Sequence, residues 1–528
     1  MYTKIFSSIF LICVVSTICA QNIKNDIFWN TVDGDPIYSQ GGGIFSFPDS
    51  KGVIKYYWYG VNYEEAEIYR NAPQVTLKNA TFKTVTCYSS TDLVNWKFEA
   101  DVMTKKEAFT TMEPTWVGRL GVAYNKELKK YAMFVQRGGK VLVAVSDTPT
   151  GLFTEHNEIN MEPIIGTTNT GDQTVFTDED SGKSYLVYCY GRGRNKIYLS
   201  EIGIKDGKIG LLDCHQIFKG ESREGNCMFK HNGKYYMCAS NIYGWDSSFA
   251  YYLVADNIYG PYNPVNDMKI MDGSAKDYAH VTQTGFFVSV KGSKQQTVLY
   301  CGDRWADFAG NGLGYNQWFP LSFKGTEPYF NSLSSWNLNE KTGEWNVADD
   351  NNYVMNGSFE ADRNKIPSRF KPVQDHLLGW ETTIVKGNKV SVDDDNSPQL
   401  NYFNTEEDRK KVIGEKSLNI SDKVAFERKV SQHITSTPYV ELKDGTYTLT
   451  ARVKNSKGFK QLEMYAESKG KRVKYLIKGE NASWQTIVIP NVVVKSGTVE
   501  IGFLAQGDAN AFCYVDDITL VKAGAKAK

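Results

Sequence analysis

The 528-residue sequence has no excess of charge of either sign, because Lys plus Arg and Asp plus Glu both number 60. No field of one sign therefore surrounds the chain, which argues against nucleic acid or an anionic membrane as the main partner. Histidine is scarce as well, with six residues dispersed along the chain and no two at metal-ligand spacing. That scarcity argues against a zinc site, and the expected partner is an uncharged molecule.

Long apolar runs are missing too, except at the N-terminus, which reads MYTKIFSSIFLICVVSTICAQN. One lysine precedes an apolar stretch that is too short to span a bilayer, and Ala20 is a small residue at a suitable cleavage point. The stretch predicts a signal peptide over residues 1–20 and a protein that is secreted or periplasmic, without a membrane span. Cys19 raises lipid attachment as an alternative, but Ile18 before it differs from the small residue that lipoprotein processing prefers.

A disulfide framework is also not indicated. The cysteines that follow the signal segment are odd in number and scattered, and several lie inside strand-like runs such as YLVYCYG and YYMCAS. Small buried side chains fit this pattern better than paired cysteines do. We expect mostly free thiols at these positions: Cys87, Cys189, Cys214, Cys227, Cys238, Cys301 and Cys513.

What the sequence does contain is a series of short runs rich in Tyr, Val, Phe and Trp, each introduced by a turn. Tyr131, Tyr185 and Tyr235 occupy matching places in three such units and are 54 and 50 positions apart (185−131 and 235−185). That interval is close to the period of a four-stranded propeller blade. With one similar unit before and one behind, the region 21–350 is predicted to be a five-bladed β-propeller.

The character of the chain changes near residue 351. NGSFEADR opens a lysine-rich segment, and the chain closes with alternating runs such as TYTLTARVKN and FCYVDDITLVKA. Alternation of this kind is typical of a β-sandwich. The prediction is an all-β protein whose second domain, a β-sandwich of the jelly-roll type, covers 351–528.

Two carboxylates stand at matching early positions of successive blades. Asp172 lies just before the apolar strand of blade three and Glu224 just before that of blade four, and both precede the strand by the same few residues. Innermost strands of a propeller deliver side chains to a shared point on the axis. Two carboxylates there can act as a general acid and the group that orients it, as glycosidic cleavage requires. The alternative for Glu224 is a surface salt bridge with the neighbouring Arg223.

Several motifs occur in an order that resembles glycoside hydrolase family 43, in particular its exo-β-1,3-galactanase branch: QGGGIFSF, CYSSTDLVNWKFE, GDQTVFTDEDSGKSYLVY, REGNCMFKHNGKYYMCAS and YCGDRW. The C-terminal domain resembles carbohydrate-binding modules of the jelly-roll type through NGSFE and YVDDITL. The resemblance implies that Glu224 is the general acid, that Asp172 orients it and adjusts its pKa, and that Arg223 helps to hold it. It also implies substrate-binding roles, which we assign to Arg223, Trp245, Asp303, Arg304, Trp305 and Gln40.

The residue on the base side, which acts on the attacking water, is harder to assign. In the galactanase-like branch a glutamine of the last blade positions the attacking water, and Gln283 fits that place. Asp35 in DGDPIYSQ matches the aspartate that many other family members use, and Asp277 and His280 are close enough to be rivals. We rank Gln283 first, Asp35 second and Asp277 third. An inverting mechanism would place the group on this side across the pocket from Glu224.

Three departures from the galactanase-like pattern bear on specificity. Gln40 replaces a histidine, while Val61 and Gly118 stand where that branch has glutamates. Missing polar partners change which sugar a site accepts. Among the tryptophans, Trp58, Trp116 and Trp318 are expected in the core, while Trp245 and Trp305 are the better candidates for stacking on a sugar.

The predicted function is a secreted inverting exo-glycosidase that acts on galactose- or arabinose-containing glycans, without a catalytic cofactor. The alternative is a propeller that binds glycan and has no activity. In the second domain, Glu360 and Asp516 are predicted to hold a structural calcium, since oxygen ligands suit this ion. The alternative there is a plain surface carboxylate at each position.

Overall fold

The structure is a computed structural model that describes residues 22–72, 77, 79–108, 117–137, 140–244, 246–305, 315–362, 376–392, 399–401, 414 and 416–525. The predicted signal peptide, Trp116 and Trp245 lie outside the described residues. No helix in the described part is long and apolar enough to cross a membrane.

The N-terminal part consists of antiparallel sheets formed by consecutive strands. A short strand, β1 (Asn22–Lys24), comes first. Blade one contains β2 (Gln40–Pro48), β3 (Ile54–Tyr63), β4 (Phe82–Ser90) and β5 (Lys97–Thr104), with the helices α1 (Glu64–Asn71) after β3 and α2 (Lys105–Ala108) after β5. Blade two contains β6 (Leu120–Asn125), β7 (Lys130–Arg137), β8 (Lys140–Ser146) and β9 (Thr154–Ile159), and α3 (Glu162–Ile165) follows it.

Blades three to five repeat this pattern. Blade three contains β10 (Thr170–Asp178), β11 (Lys183–Tyr190), β12 (Lys196–Lys205), β13 (Lys208–Leu211) and β14 (His215–Lys219), where both β13 and β14 pair with β12. Blade four contains β15 (Glu224–His231), β16 (Lys234–Ser240), β17 (Ala250–Ala255) and β18 (Lys269–Ile270). A 3-10 turn at Ser274–Lys276 and α4 (Tyr278–Val281) lead to blade five, which contains β19 (Gln283–Lys291), β20 (Gln296–Arg304), β21 (Tyr315–Lys324) and β22 (Glu327–Phe330).

The five blades close into a ring through their first strands. β2, β6, β10, β15 and β19 contact one another in this order, and β19 returns to β2. The joint between blades five and one is apolar: the ring of Trp318 lies 4.9 Å from that of Trp58 and 4.8 Å from that of Trp29, measured between centroids. A sheet that the sequence did not predict ties the two ends of this region together, with β1 paired to β23 (Ser335–Leu338) and β23 to β24 (Trp345–Val347).

The C-terminal part is a sandwich of two five-stranded antiparallel sheets. Its strands are β25 (Glu381–Lys386), β26 (Leu400–Asn401), β27 (Ser417–Ser421), β28 (Phe426–Thr435), β29 (Gly445–Asn455), β30 (Phe459–Ser468), β31 (Lys471–Leu476), β32 (Asn481–Val494), β33 (Thr498–Gly507) and β34 (Phe512–Lys522). One sheet has the order β25-β28-β33-β30-β31 and the other β26-β27-β34-β29-β32. Alternate residues of the long central strands β29 and β34 point inward and form one apolar core, because side chains alternate between the two faces of a strand.

The predicted fold class, a five-bladed propeller followed by a β-sandwich, is confirmed. The predicted boundary near residue 351 lies between the end of β24 and Val354, which packs in the sandwich core, and it stays a prediction. All seven predicted free cysteines are unpaired, and only Cys214 is exposed. Trp58 and Trp318 are fully buried, as expected for core residues.

Candidate active site

The site lies where the first strands of the blades begin, at one end of the propeller axis. Asp172 is the third residue of β10, Glu224 is the first of β15 and Gln283 is the first of β19. The pairing of the first and second strands slips by a residue near this end in four blades, all except blade two. Irregularities of this kind re-aim side chains next to active sites, and here they turn polar groups toward the axis.

These groups line a cavity of about 300 Å³. This volume is at the lower end of the range for pockets that bind small molecules. Among the described residues, Asp172 and Glu224 are the carboxylates of its wall, and three glycines leave parts of that wall without side chains. The lining residues are Gly41, Tyr63, Gly118, Arg119, Asp172, Arg194, Glu224, Gly244, Gln283 and Trp305.

Glu224 is a buried carboxyl group with two polar neighbours. Its Oε1 accepts a hydrogen bond from Gln283 Nε2 at 2.6 Å, and its Oε2 contacts the guanidinium of Arg194. Burial raises the pKa of Glu224 to about 8, and the negative charge of Asp172 adds to this effect against the two arginines. A carboxyl group with this pKa is still largely protonated at neutral pH and can donate a proton.

Asp172 has the opposite character. Burial opposes its ionisation, but Arg119 and Arg194 outweigh burial and hold its pKa below the usual value. Its Oδ2 accepts hydrogen bonds from Arg119 Nε at 2.9 Å and from the backbone N–H of Gly225 at 2.8 Å. Gly225 has a φ of 63°, and a Cβ there would lie 2.3 Å from the carbonyl oxygen of Thr284, so this close approach requires glycine. The site therefore holds one neutral and one ionised carboxyl group side by side.

Arg119 connects the parts of this site. Its Nη1 contacts Asp303 Oδ2 at 2.8 Å and its Nη2 donates to Gln283 Oε1 at 2.9 Å, while Nε bonds Asp172. Burial lowers the pKa of Arg119, but Asp172 and Asp303 outweigh burial, so its net pKa is raised and it stays charged. One guanidinium group thus fixes side chains of blades three and five from the start of blade two.

The amide of Gln283 has a single possible orientation. Its Oε1 accepts hydrogen bonds from Arg119 and from Trp305 Nε1, the latter at 2.8 Å, and both are donors only. Its Nε2 must therefore be the atom that donates to Glu224. Gln283 lines the cavity, as predicted, but it bonds Glu224 directly. The expectation that the group on the base side stands across the pocket is wrong for Gln283 in this structure.

A left-handed turn, which is the segment labelled α4, sets the start of β19. Tyr278, Ala279, His280 and Val281 all have φ between 45° and 61°, a region that costs residues other than glycine about 1–2 kcal/mol each. His280 holds this turn, since its Nε2 lies 2.8 Å from Asp26 Oδ2 and its Nδ1 lies 2.7 Å from Ser332 Oγ.

The same turn explains the positions of Asp277 and His280, the rival candidates for the catalytic base. Asp277 accepts a hydrogen bond from the backbone N–H of His280 at 3.0 Å and another from Ser332 Oγ. Burial disfavours the charged form of His280, but Asp26 and Asp277 raise its pKa to about 10. Asp277 and His280 thus support the chain before Gln283 and do not line the cavity. Asp35 lies exposed in a turn after β1 and does not line it either.

The prediction that Arg223 holds Glu224 is corrected by the structure. The guanidinium of Arg223 lies 4.1 Å from the ring centroid of Tyr251 and 3.0 Å from Glu221 Oε2, outside the cavity. Successive side chains of an extended chain point to opposite sides, so Arg223 and Glu224 diverge. The arginine beside Glu224 is Arg194, which follows β11.

The other predicted substrate-binding residues divide into two groups. Trp305 lines the cavity, and its ring lies 5.7 Å from Arg119 Cζ. Three residues do not line it: Asp303 lies behind Arg119, Arg304 contacts Asp26 at 3.5 Å, and Gln40 lines a separate void of about 20 Å³. For these three the prediction is corrected, because their side chains are buried outside the cavity.

Sequence reasoning missed two residues of the site, Arg119 and Arg194. Arg119 directly follows Gly118 in the stretch GRLGVAYN, which departs from the galactanase-like pattern, and its residue type alone does not indicate that the side chain reaches the axis. Arg194 lies in the turn GRGRN between β11 and β12, and nothing in that turn indicates that its side chain reaches the axis.

The second predicted site, in the sandwich, brings acidic groups together. Asp516 is buried, and burial together with the charges of Asp517 and Glu360 holds its pKa well above the usual value. Buried carboxylates that repel one another fit a cation with oxygen ligands. Within the described ranges, however, no three His, Cys, Asp or Glu side chains are grouped to hold a metal ion, so calcium here would also need backbone carbonyls.

A second cavity, of about 320 Å³, lies between propeller and sandwich, with Tyr329 on one side and Trp380 and His433 on the other. Glu381 is its one carboxylate among the described residues, so the pair of carboxyl groups that acid catalysis needs is not found there. Among the described residues, the two carboxyl groups come together in the cavity on the propeller axis.

Comparison with solved structures gives the same architecture over most of the chain. An exo-β-1,3-galactanase from Phanerochaete chrysosporium with β-1,3-galactotriose matches with 21% identity and a TM-score of 0.54, over 95% of this chain and 100% of that chain. An exo-β-1,3-galactanase from Clostridium thermocellum matches with 19% identity and a TM-score of 0.53, over the same shares. At such identities the likeness concerns the fold. No curated protein sequence matches this chain.

The sequence of the propeller itself is similar to a known family. Residues 61–314, which extend from blade one into blade five and include Asp172, Glu224 and Gln283, match the family model of glycosyl hydrolases family 43. The propeller of this chain is thus similar in sequence to glycosyl hydrolases family 43, and this match identifies the chain as a glycoside hydrolase.

Proposed function

We propose that this chain is an inverting exo-glycosidase that releases single sugars from galactose- or arabinose-containing glycans. The observation that carries the proposal is the pair of carboxyl groups in one small cavity, Glu224 with a pKa of about 8 and Asp172 with a lowered pKa. Glu224 protonates the departing glycosidic oxygen, and Asp172 keeps the proton on Glu224 through its charge.

Inversion is supported by the environment of Asp172. A retaining enzyme needs a second carboxylate, about 5–5.5 Å from the acid, that attacks the sugar. Asp172 Oδ2 is instead engaged by Arg119 and the Gly225 N–H, and no further carboxylate of the described residues lines the cavity. Water is then the nucleophile. Gln283 is the one of the three candidates that lines the cavity, and its second Nε2 proton can hold the water oxygen. As that oxygen bonds the anomeric carbon, the departing glycosidic oxygen takes the proton of Glu224, and the proton that the water loses passes to solvent.

The choice of sugar rests on the fold and on the size of the cavity. The two galactanases share the fold of this chain, and the size of the cavity favours a single sugar over an extended chain. Gly118, where the galactanase-like pattern has a glutamate, lies in the cavity wall, whereas Gln40 and Val61 line the separate void. The loss at Gly118 is therefore the departure that bears on the sugar. Export remains a prediction from residues 1–20.

The alternative function, glycan binding without catalysis, gives no reason for the raised pKa of Glu224. A binding protein gains nothing from a protonated carboxyl group that is kept neutral by a neighbouring carboxylate. The family also favours an enzyme. Direct assays of turnover and of binding separate the two functions.

The function is tested by incubating the protein with β-1,3-galactan, arabinogalactan and arabinan and following the products by proton NMR from the first turnover. Single sugars with inverted anomeric configuration are expected. In Glu224→Gln the rate should fall at least about a hundredfold, the low end of what general acid catalysis contributes, while binding of the sugar persists. A retained anomer, or a Glu224→Gln variant with full activity, would contradict the proposal.

The pH dependence of kcat/KM tests how the charges act on Glu224. Activity requires the protonated acid, so it should fall as pH rises through about 8. Asp172 raises the pKa of Glu224 and Arg194 lowers it. Asp172→Asn should therefore move the alkaline limb to lower pH and Arg194→Gln to higher pH. Limbs that move in the same direction in both variants would refute this account.

The base side is tested by a pair of variants. Gln283→Ala should lower kcat at least about a hundredfold while affinity for the sugar is kept, because the water loses its position. In this variant the alkaline limb of the pH profile should also move to higher pH, because the lost hydrogen bond from Gln283 lowers the pKa of Glu224. Asp35→Asn, in an exposed turn, serves as the control and should change kcat little. An inactive Asp35→Asn with an active Gln283→Ala would assign the base to Asp35.

The sandwich is proposed to hold a structural calcium ion at Asp516 and Glu360. Thermal melting with a chelator should then lower the Tm of the sandwich, and Asp516→Asn should lower it in calcium, because a ligand is lost. Without calcium, the same variant should raise the Tm, because it removes one of several buried like charges. Unchanged melting with chelator, together with a stabilised Asp516→Asn, would exclude the ion.

A further inference from the structure

Arg194 reaches the active-site cavity from a strained position. It ends the turn 191–194 between β11 and β12 with a φ of 50°, which is unfavourable for a residue with a side chain. Two backbone hydrogen bonds hold it there, from its own N–H to the carbonyl of Tyr190 at 3.1 Å and from the N–H of Arg223 to its carbonyl at 2.8 Å. Strain that the surroundings maintain at a cavity wall points to a functional side chain.

Arg194 loses its charged hydrogen-bonding partner in the active form of the enzyme. Its hydrogen-bonding partner among the described side chains is Glu224, the group that must be protonated to act as the acid. Asp172 is the remaining carboxylate of the wall, and it already bonds Arg119. Asp303, the second carboxylate bonded to Arg119, lies behind it, outside the cavity. Asp172 and Asp303 together balance the charges of Arg119 and Arg194, and Arg194 is the guanidinium group of the described wall whose bonded carboxyl group is neutral in the active form.

Arg194 also has hydrogen-bonding capacity to spare. A guanidinium group carries five N–H donors, and that of Arg194 contacts Glu224 while 36% of the side chain remains exposed. Gly41, Gly118 and Gly244 leave parts of the wall of the same cavity without side chains. At Gly118 the glutamate of the galactanase-like pattern would have repelled an anion, and its absence removes that repulsion.

We propose that the sugar bound in this cavity carries a carboxylate or sulfate group that pairs with Arg194. This substrate class, an acidic sugar of the uronic acid or sulfate ester type, rests on the proposed function of the same cavity. A planar guanidinium group binds either anion through parallel, charge-assisted hydrogen bonds. The neutral acid Glu224 stays beside it to protonate the glycosidic oxygen.

The experiment compares three aryl glycosides with the same leaving group: a β-galactoside, the corresponding galacturonide, and the galactoside with a 6-sulfate. The wild type is expected to show kcat/KM at least about tenfold higher for one of the two anionic substrates than for the neutral one, as a charge-assisted hydrogen bond provides. Which of the two is preferred separates carboxylate from sulfate. The preference should weaken as salt is added.

Arg194→Gln should lose this preference, so that its anionic-to-neutral ratio of kcat/KM falls at least about tenfold. Arg192→Gln removes the same charge from an exposed residue of the same turn and should keep the ratio. If Arg194→Gln fails to fold, Arg194→Lys keeps the charge without the planar group and should retain part of the preference. A wild type that cleaves the neutral galactoside as well as both anionic ones would overturn the proposal.

Binding measurements separate this inference from the proposed function. Calorimetry of Glu224→Gln, which imitates the neutral acid, should show tighter binding of galacturonic acid or galactose 6-sulfate than of galactose. If no glycoside is cleaved but this order of binding holds, catalysis fails and the inference stands. If the neutral galactoside is cleaved and galactose binds as well as its acidic forms, the proposed function stands and the inference fails.

Discussion

The guanidinium of Arg119 is the group on which the rest of the site depends. It is buried at the start of blade two and bonds Asp172 of blade three and Asp303 and Gln283 of blade five. Leaving one member of such a buried set without its partner is costly, because an uncompensated charge would remain in an apolar surrounding. The position of three blades relative to one another and the position of the polar groups of the cavity are therefore fixed by the same interactions.

The same network separates the two carboxyl groups chemically. Asp172 accepts hydrogen bonds from Arg119 and from a backbone N–H, and it remains ionised. Its negative charge, together with burial, then keeps Glu224 protonated. The residue types Asp and Glu do not by themselves produce this difference in pKa, because the surroundings of the two groups create it. The difference therefore cannot be predicted from the sequence. Arg194 acts against this effect on Glu224, so the site balances a neutral acid against a nearby cation.

Gln283 depends on a longer chain of support. The left-handed turn before it is held by His280 between Asp26 and Ser332, and its amide oxygen is held by Arg119 and Trp305. With the oxygen engaged twice, the amide can offer a water molecule its remaining N–H and little else. Polar groups that looked like rival bases along the chain thus become part of the frame that orients this amide.

The sequence by itself determined the fold class and two of the central groups. Blade-length repeats and alternating runs are local patterns, so five blades, a sandwich and the matching positions of Asp172 and Glu224 could be predicted from them. The tertiary structure alone decided the partners of those groups. Arg223 adjoins Glu224 in sequence but faces away from it, whereas Arg119 and Arg194 reach the axis from other blades. Such contacts join residues 30 to 184 positions apart, and no local pattern encodes which of many arginines the ring closure will bring to a given carboxylate.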